Sequence, residues 1–143
     1  MNAARTLELE HSYEGPFELV GRGPNGEDLF ESAQRAVASP QDVEEKLEIN
    51  TVRWAVDREG RITGSAQFIA PETYDFISAK LSGHTPEPEA GQDYRDAFVD
   101  VTFTGGTRRF QAARGEAKVE AKLYNDGMSR GTIRGVVALD AER

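Results

Sequence analysis

GGTRRFQAARG, Gly105 to Gly115, comes directly after DAFVDVTFT, Asp96 to Thr104, whose alternation of apolar and polar side chains reads as a β-strand. Three glycines, two alanines and three arginines are packed into these eleven residues of an acidic chain. Three readings compete: a phosphate cradle, an arginine-rich docking patch, or a corner that the fold itself requires. The phosphate reading is weak, because GxxxxGK[ST] is missing and no lysine stands after Gly115 where a Walker loop needs one. The arginines would suit a carboxylate or a phosphate held in bidentate fashion, or the solvated side of a barrel corner.

The chain beyond the glycines favours the corner. EAKVEAKLY, 116 to 124, alternates strictly, with Ala117, Val119, Ala121 and Leu123 on one side. The turn NDGMS then leads into RGTIRGVVAL, 130 to 139, which places Ile133, Val137 and Leu139 on one face. A second hairpin joins KLEINTVRWAV, 46 to 56, through DREG to RITGSAQFI, 61 to 69, with Ile62, Ala66 and Phe68 sharing a face. In its first strand Leu47 and Ile49 have one parity, and Val52, Trp54 and Val56 the other. Either a bulge lies near Asn50 and Thr51, or the strand is apolar on both faces for part of its length. Several short strands between turn signals predict an all-β chain, an antiparallel barrel or sandwich.

Two segments resist that pattern. EDLFESAQRAVASPQDVEE, 27 to 45, places Leu29, Phe30, Ala33 and Val37 on a helical face, and Ser39-Pro40-Gln41-Asp42 resembles a capping box with proline at the first helical position, which predicts a short helix. SGHTPEPEAGQDYR, 82 to 95, has no periodicity and reads as a long loop, a lid over a pocket or a disordered stretch.

The 143 residues suit one domain, and 38% hydrophobic with 29% charged residues describe a soluble globular protein with no apolar run long enough for a membrane helix. The first fifteen residues lack an apolar h-region, so no secretory signal is expected and cytoplasmic residence is the default. Without cysteine there is no disulfide, thiol nucleophile or thiolate metal site. A net charge of −8 argues against nucleic acid as the main partner. Residues 105 to 134 nevertheless carry seven basic and three acidic side chains, a local +4 that leaves −12 elsewhere. That asymmetry suits either an anionic ligand or mutual neutralisation within the barrel or between subunits.

Familiar chemistry finds little support. Gly21-Arg22-Gly23-Pro24-Asn25-Gly26 is a literal GxGxxG, but Pro24 removes a donor and Glu27 and Asp28 put negative charge where a pyrophosphate would sit, so a turn is the better reading. His11 and His84, the only histidines, lie in loop or edge segments with no carboxylate at matching spacing, and no metal is expected. A G-x-S-x-G elbow is absent. That leaves carboxylates, tyrosines and arginines inside a barrel. If Trp54 points inward, then Glu48, Asn50 and Val52 share its face by period two, provided no bulge intervenes; beyond a bulge, Glu48 is exposed and Leu47 and Ile49 take the core. A carboxylate in such an interior has its pKa raised and serves as a general acid or base. Trp54, Phe68, Tyr74, Phe98 and Phe103 either line an apolar pocket or simply fill the barrel.

TFTGGTRRFQAARG, Thr102 to Gly115, resembles the T-G-G-T-G-x-F-x-x-A-x-G segment of the allene oxide cyclase and dirigent β-barrels. Gly105, Gly106, Thr107, Phe110, Ala113 and Gly115 match, and Arg108 stands where that pattern usually has another glycine. The resemblance implies an eight-stranded, calycin-like antiparallel barrel, extended chain across 17 to 38, and assembly as a homo-oligomer, a dimer or trimer. It also implies an apolar cavity that guides cyclisation or coupling of a reactive small molecule, as in bacterial polyketide cyclases of this type, without a cofactor. The motif marks scaffold and carries no catalytic residue with it. The sequence thus leads to a cofactor-independent cyclase or isomerase for a hydrophobic, polyketide- or lipid-derived substrate. Glu48, Asn50, Tyr74 and Arg53 are its candidate polar groups, and Trp54, Phe68 and Phe103 its walls. A non-catalytic barrel that carries a small apolar ligand is the alternative.

Overall fold

The turn chemistry of the hairpins explains the architecture. In the computed structural model, which describes residues 6–38, 48–70 and 72–139, Asp57 Oδ1 accepts hydrogen bonds from the backbone N–H of Glu59 and Arg61, each at 2.9 Å. Asp126 Oδ1 accepts from the N–H of Met128 at 2.9 Å in the same way. The GxGxxG stretch is a turn of this kind, with the Gly23 N–H bonded to the Glu27 carbonyl at 2.8 Å. These turns connect β1 (Thr6–Arg22), β2 (Asp28–Ala38), β3 (Glu48–Val56), β4 (Arg61–Ile69), β5 (Phe76–His84), β6 (Tyr94–Gly106), β7 (Arg114–Tyr124) and β8 (Met128–Ala138). Every strand pairs antiparallel with its sequence neighbours, and β8 returns to pair with β1 from Thr6↔Ala138 to Pro16↔Met128, so the sheet closes into an eight-stranded barrel with no free edge.

The bulge read near Asn50 and Thr51 is present: the pairing of β3 with β4 slips between Ile49 and Thr51. The extra residue switches parity, so that Ile49 on one side of it and Val52 and Trp54 on the other all face the interior. The predicted helix is not formed over 28–38, which is strand β2; Ser39-Pro40-Gln41-Asp42 lies outside the described residues. Pairing on both sides overrode the local pattern, and the inward positions Ser32 and Gln34 are polar, which hid the alternation. The loop after β5 is shorter than read, because Ser82, Gly83 and His84 belong to the strand and β6 begins at Tyr94. Its base is tied by the Thr85 N–H to the Gly60 carbonyl at 2.8 Å and by Thr85 Oγ1 to the Asp96 carbonyl at 2.6 Å.

One end of the barrel is filled. Leu7, Leu9, Phe68, Ile77, Phe103, Phe110 and Val137 are all buried there, with Phe68 and Phe103 edge to face at 5.5 Å. The GGTRRFQAARG corner seals this end. Gly105 at φ 129° and Gly115 at φ 141° occupy backbone conformations that favour glycine, and the single 3₁₀ turn Arg108–Phe110 between them drops Phe110 into the core. Arg108 has φ 45° and stays there because its guanidinium grips Asp75 and donates to the Thr73 carbonyl at 3.2 Å. Arg109 Nε lies 3.3 Å from the other Asp75 oxygen. Two of the corner's three arginines therefore hold a carboxylate, and it is the chain's own; Arg114 instead donates to the Ala113 carbonyl at 2.6 Å. Four other basic residues of this third, Lys118, Lys122, Arg130 and Arg134, pair across strands with Asp100, Asp96, Glu14 and Glu10, so the local positive charge is neutralised within the barrel.

Candidate functional site

The opposite half, toward the hairpin turns at 57–60 and 125–127, is hollow. Small and branched inward residues, Ala66, Ala97, Val99, Val119, Ala121 and Gly131, leave a cavity of about 110 Å³ whose wall is overwhelmingly apolar. Phe68 closes it toward the filled half, and Trp54 forms one side. The Trp54 ring stacks on Phe30 at 5.3 Å, with Phe17 tilted against both, at 6.1 Å from Phe30 and 6.3 Å from Trp54. The opposing Gly64 is required by this packing, since a Cβ there would run into the Arg53 carbonyl and come within 2.9 Å of Trp54 Cβ.

Polar groups enter the cavity at two places. Tyr13 is buried in its wall, with its ring edge-on to the buried His11 at 5.8 Å. Burial first, and then the Glu48 carboxylate, push its phenol above the ordinary tyrosine value, so it is a neutral O–H throughout the physiological range. The second place is a cluster of Ser32, Gln34 and Ser129 from β2 and β8. Ser32 Oγ donates to the Pro16 carbonyl at 2.6 Å and Ser129 Oγ to the Gly15 carbonyl at 3.2 Å. Gln34 Nε2 donates to both hydroxyls, at 2.7 Å to Ser129.

The residues singled out from the sequence are divided between the cavity, the packed core and the outer surface. Trp54 and Phe68 line the cavity. Phe103 packs behind Phe68 in the filled half. Glu48 is half-buried at the start of β3, close enough for its charge to act on Tyr13. Asn50 is the bulge position, and its side chain lies outside the described residues. Arg53 is on the outer face, its side chain 69% exposed and 3.1 Å from Glu31, because the bulge gives the inward parity to its neighbours Val52 and Trp54. Tyr74 stands at φ 61° in the turn beneath the closed end and is 71% exposed. Neither Arg53 nor Tyr74 reaches the cavity. His11, read as a loop or edge residue, is buried in β1.

Tyr13, Ser32, Gln34 and Ser129 are site residues that the sequence reading missed. The signal for Tyr13 lies in LELEHSYEG, where Leu7, Leu9, His11, Tyr13 and Gly15 alternate strictly and all are buried. Ser32 and Gln34 give none, since polar residues at inward positions look like solvent-facing ones.

No protein-family model matches the chain, and no curated protein matches it in sequence. In solved structures the barrel does have counterparts. The pterocarpan synthase dirigent protein GePTS1 superposes with a TM-score of 0.62 over 98% of this chain and 94% of its own, at 12% identity. The chain has the dirigent-type barrel fold. A second such protein, PsPTS1, matches with a TM-score of 0.59 at 12% identity, over 99% of this chain and all of its own. At that identity the likeness is one of fold. In this dirigent-type barrel, no group of three or more histidine, cysteine, aspartate or glutamate side chains gathers as metal ligands among the described residues. Among them, too, no helix is long and apolar enough to cross a membrane.

Proposed function

We propose that the hollow half is a binding chamber in which a hydrophobic small molecule, polyketide- or lipid-derived, is cyclised or isomerised without a cofactor. The observation that carries this reading is the asymmetry of the interior: one half is packed solid with leucine, isoleucine, valine and phenylalanine side chains, and the other is kept open by alanine, glycine and valine at inward positions. A barrel of eight strands is just wide enough for its side chains to fill, so an open half reflects the choice of small residues there. A void of about 110 Å³ approaches the engineered apolar cavity of about 150 Å³ that binds benzene. It suits one ring or a short folded chain. Solved barrels of the same fold are named pterocarpan synthases, which supports a small-molecule reading.

The chemistry such a chamber supplies is confinement. Trp54, Phe68 and the aliphatic wall hold a flexible substrate in a reactive conformer, and the orientation gained before reaction removes part of the entropic barrier. Tyr13, held neutral, is placed to donate a hydrogen bond or a proton to an oxygen on which negative charge develops. The Gln34 cluster fixes the orientation of the polar end.

The test is to incubate the protein with linear polyene and epoxide candidates and monitor the appearance of products of unchanged mass and altered chromatographic retention. Turnover that falls at least about tenfold in Tyr13→Phe, with binding retained, supports the reading. Saturable binding without turnover across the panel replaces it with the carrier alternative, which the same cavity also suits.

A further inference from the structure

We propose that Gln34 Oε1 is the polar recognition point at the β2–β8 side of the cavity, so that this side, unlike the Tyr13 side, selects a ligand group carrying an O–H or N–H donor over one that offers only an acceptor. This rests on the reading of the hollow half as a binding chamber and deepens it. The hydrogens of the cluster can be counted. Backbone carbonyls can only accept, so the single hydroxyl proton of Ser32 is committed to Pro16 and that of Ser129 to Gly15. Each Oγ must then act as acceptor toward Gln34, and the group facing them has to be the amide nitrogen. That fixes the orientation of the carboxamide, which has one N–H for each serine and none left over.

Every proton of the cluster is therefore spent on the protein. Gln34 lines the cavity, and its carbonyl oxygen is the atom of the cluster that no hydrogen bond from a described residue reaches. A ligand group that only accepts meets lone pair against lone pair there. A hydroxyl or amine supplies the missing proton. The serines thus act as positioning residues: their role is to stop the amide from turning over and presenting its donors instead. This discriminates by hydrogen-bond polarity within a set of ligands of equal size and similar hydrophobicity, a distinction the aliphatic wall alone is unable to make.

The experiment uses three ring-sized probes, cyclohexanol, cyclohexanone and methylcyclohexane, titrated against the full chain, with NMR shifts of the Leu81, Val99 and Val119 methyl groups reporting occupancy of the cavity. In the Tyr13→Phe background, which removes the O–H of the wall that a ketone could accept from, we expect cyclohexanol to bind about tenfold more tightly than cyclohexanone, the order of one hydrogen bond. In the double variant Ser32→Ala with Ser129→Ala, the amide is free to rotate and the ratio falls to about one. Should that variant not fold, Gln34→Met removes the acceptor and brings the ratio to about one as well. Equal affinities in the Tyr13→Phe background, with the cavity methyls shifting, overturn the Gln34 assignment and leave the chamber standing. Absence of binding by all three probes overturns the chamber itself, and the Gln34 assignment with it.

Discussion

The two halves of this barrel are built from the same eight strands and differ in what their inward positions carry. At the closed end these positions hold Leu7, Leu9, Phe68, Ile77 and Phe103, and the corner at 105–115 is laid across them like a floor with Phe110 turned inward, sewn down by Thr107 to Phe76 and by Arg108 to Asp75. At the open end they hold alanine, valine and glycine around a void, with a small polar cluster in its wall. The closed end gives the barrel its stability, and that is what lets the other end go unfilled, since an open cavity forfeits dispersion contacts that a packed core would have made.

If the division of labour is right, emptying the closed end is the most damaging change. Phe110→Ala removes a fully buried ring and is expected to cost about 3–5 kcal/mol in chemical denaturation, the range for such truncations. The Asp75 anchor comes next, and it has a pH signature. Burial on its own would raise this carboxyl, but the hydrogen bonds from Arg108 and Thr73 and the charges of Arg108 and Arg109 outweigh it and hold the group below the ordinary carboxylate value. Its folded pKa is therefore lower than the unfolded value of about 3.9. The stabilisation is complete above that unfolded value and drains away as the pH falls through the folded pKa. Melting curves from pH 6 to pH 2 should show Asp75→Asn less stable than the parent at neutral pH, by less than Phe110→Ala, and with a shallower acid decline.

Filling the open end should do the reverse of emptying the closed one. Val119→Phe puts a ring into the void; because the void takes up the added volume, stability should fall by less than the roughly 1–3 kcal/mol that overpacking costs in a filled core, while binding of a ring-sized probe falls at least about tenfold. The smallest effect isolates the backbone of the corner. Arg108→Gly and Arg108→Ala both lose the grip on Asp75, but only glycine tolerates φ 45° without strain. The glycine variant should be the more stable by about 1 kcal/mol, measured as the difference between two urea midpoints.

The closed end was far more legible in the sequence than the open one, for a physical reason. Glycine at positive φ, a phenylalanine after a fixed interval and strict alternation in 116 to 124 are local signals, and they were enough to place the corner and the hairpin after it, whereas the parity change in 46 to 56 left a bulge near Asn50 and Thr51 as one of two readings. The partner of the corner's arginines was not legible, because Asp75 lies 33 residues away along the chain from Arg108. A cavity is harder still, since it is an absence produced by all eight strands together. Two of its polar members, Ser32 and Gln34, sit at inward positions of β2, where they imitate a solvent-facing edge and hide the alternation of 28 to 38.

The central claim, that the open half is a chamber and the closed half is not, is tested most directly by methyl NMR during titration with methylcyclohexane. Shifts confined to Val52, Leu81, Val99, Val119 and Leu123, saturating together while Leu7, Leu9 and Val137 stay fixed, are the predicted result. Shifts spread evenly over both sets, or none at a saturating concentration of probe, would contradict it.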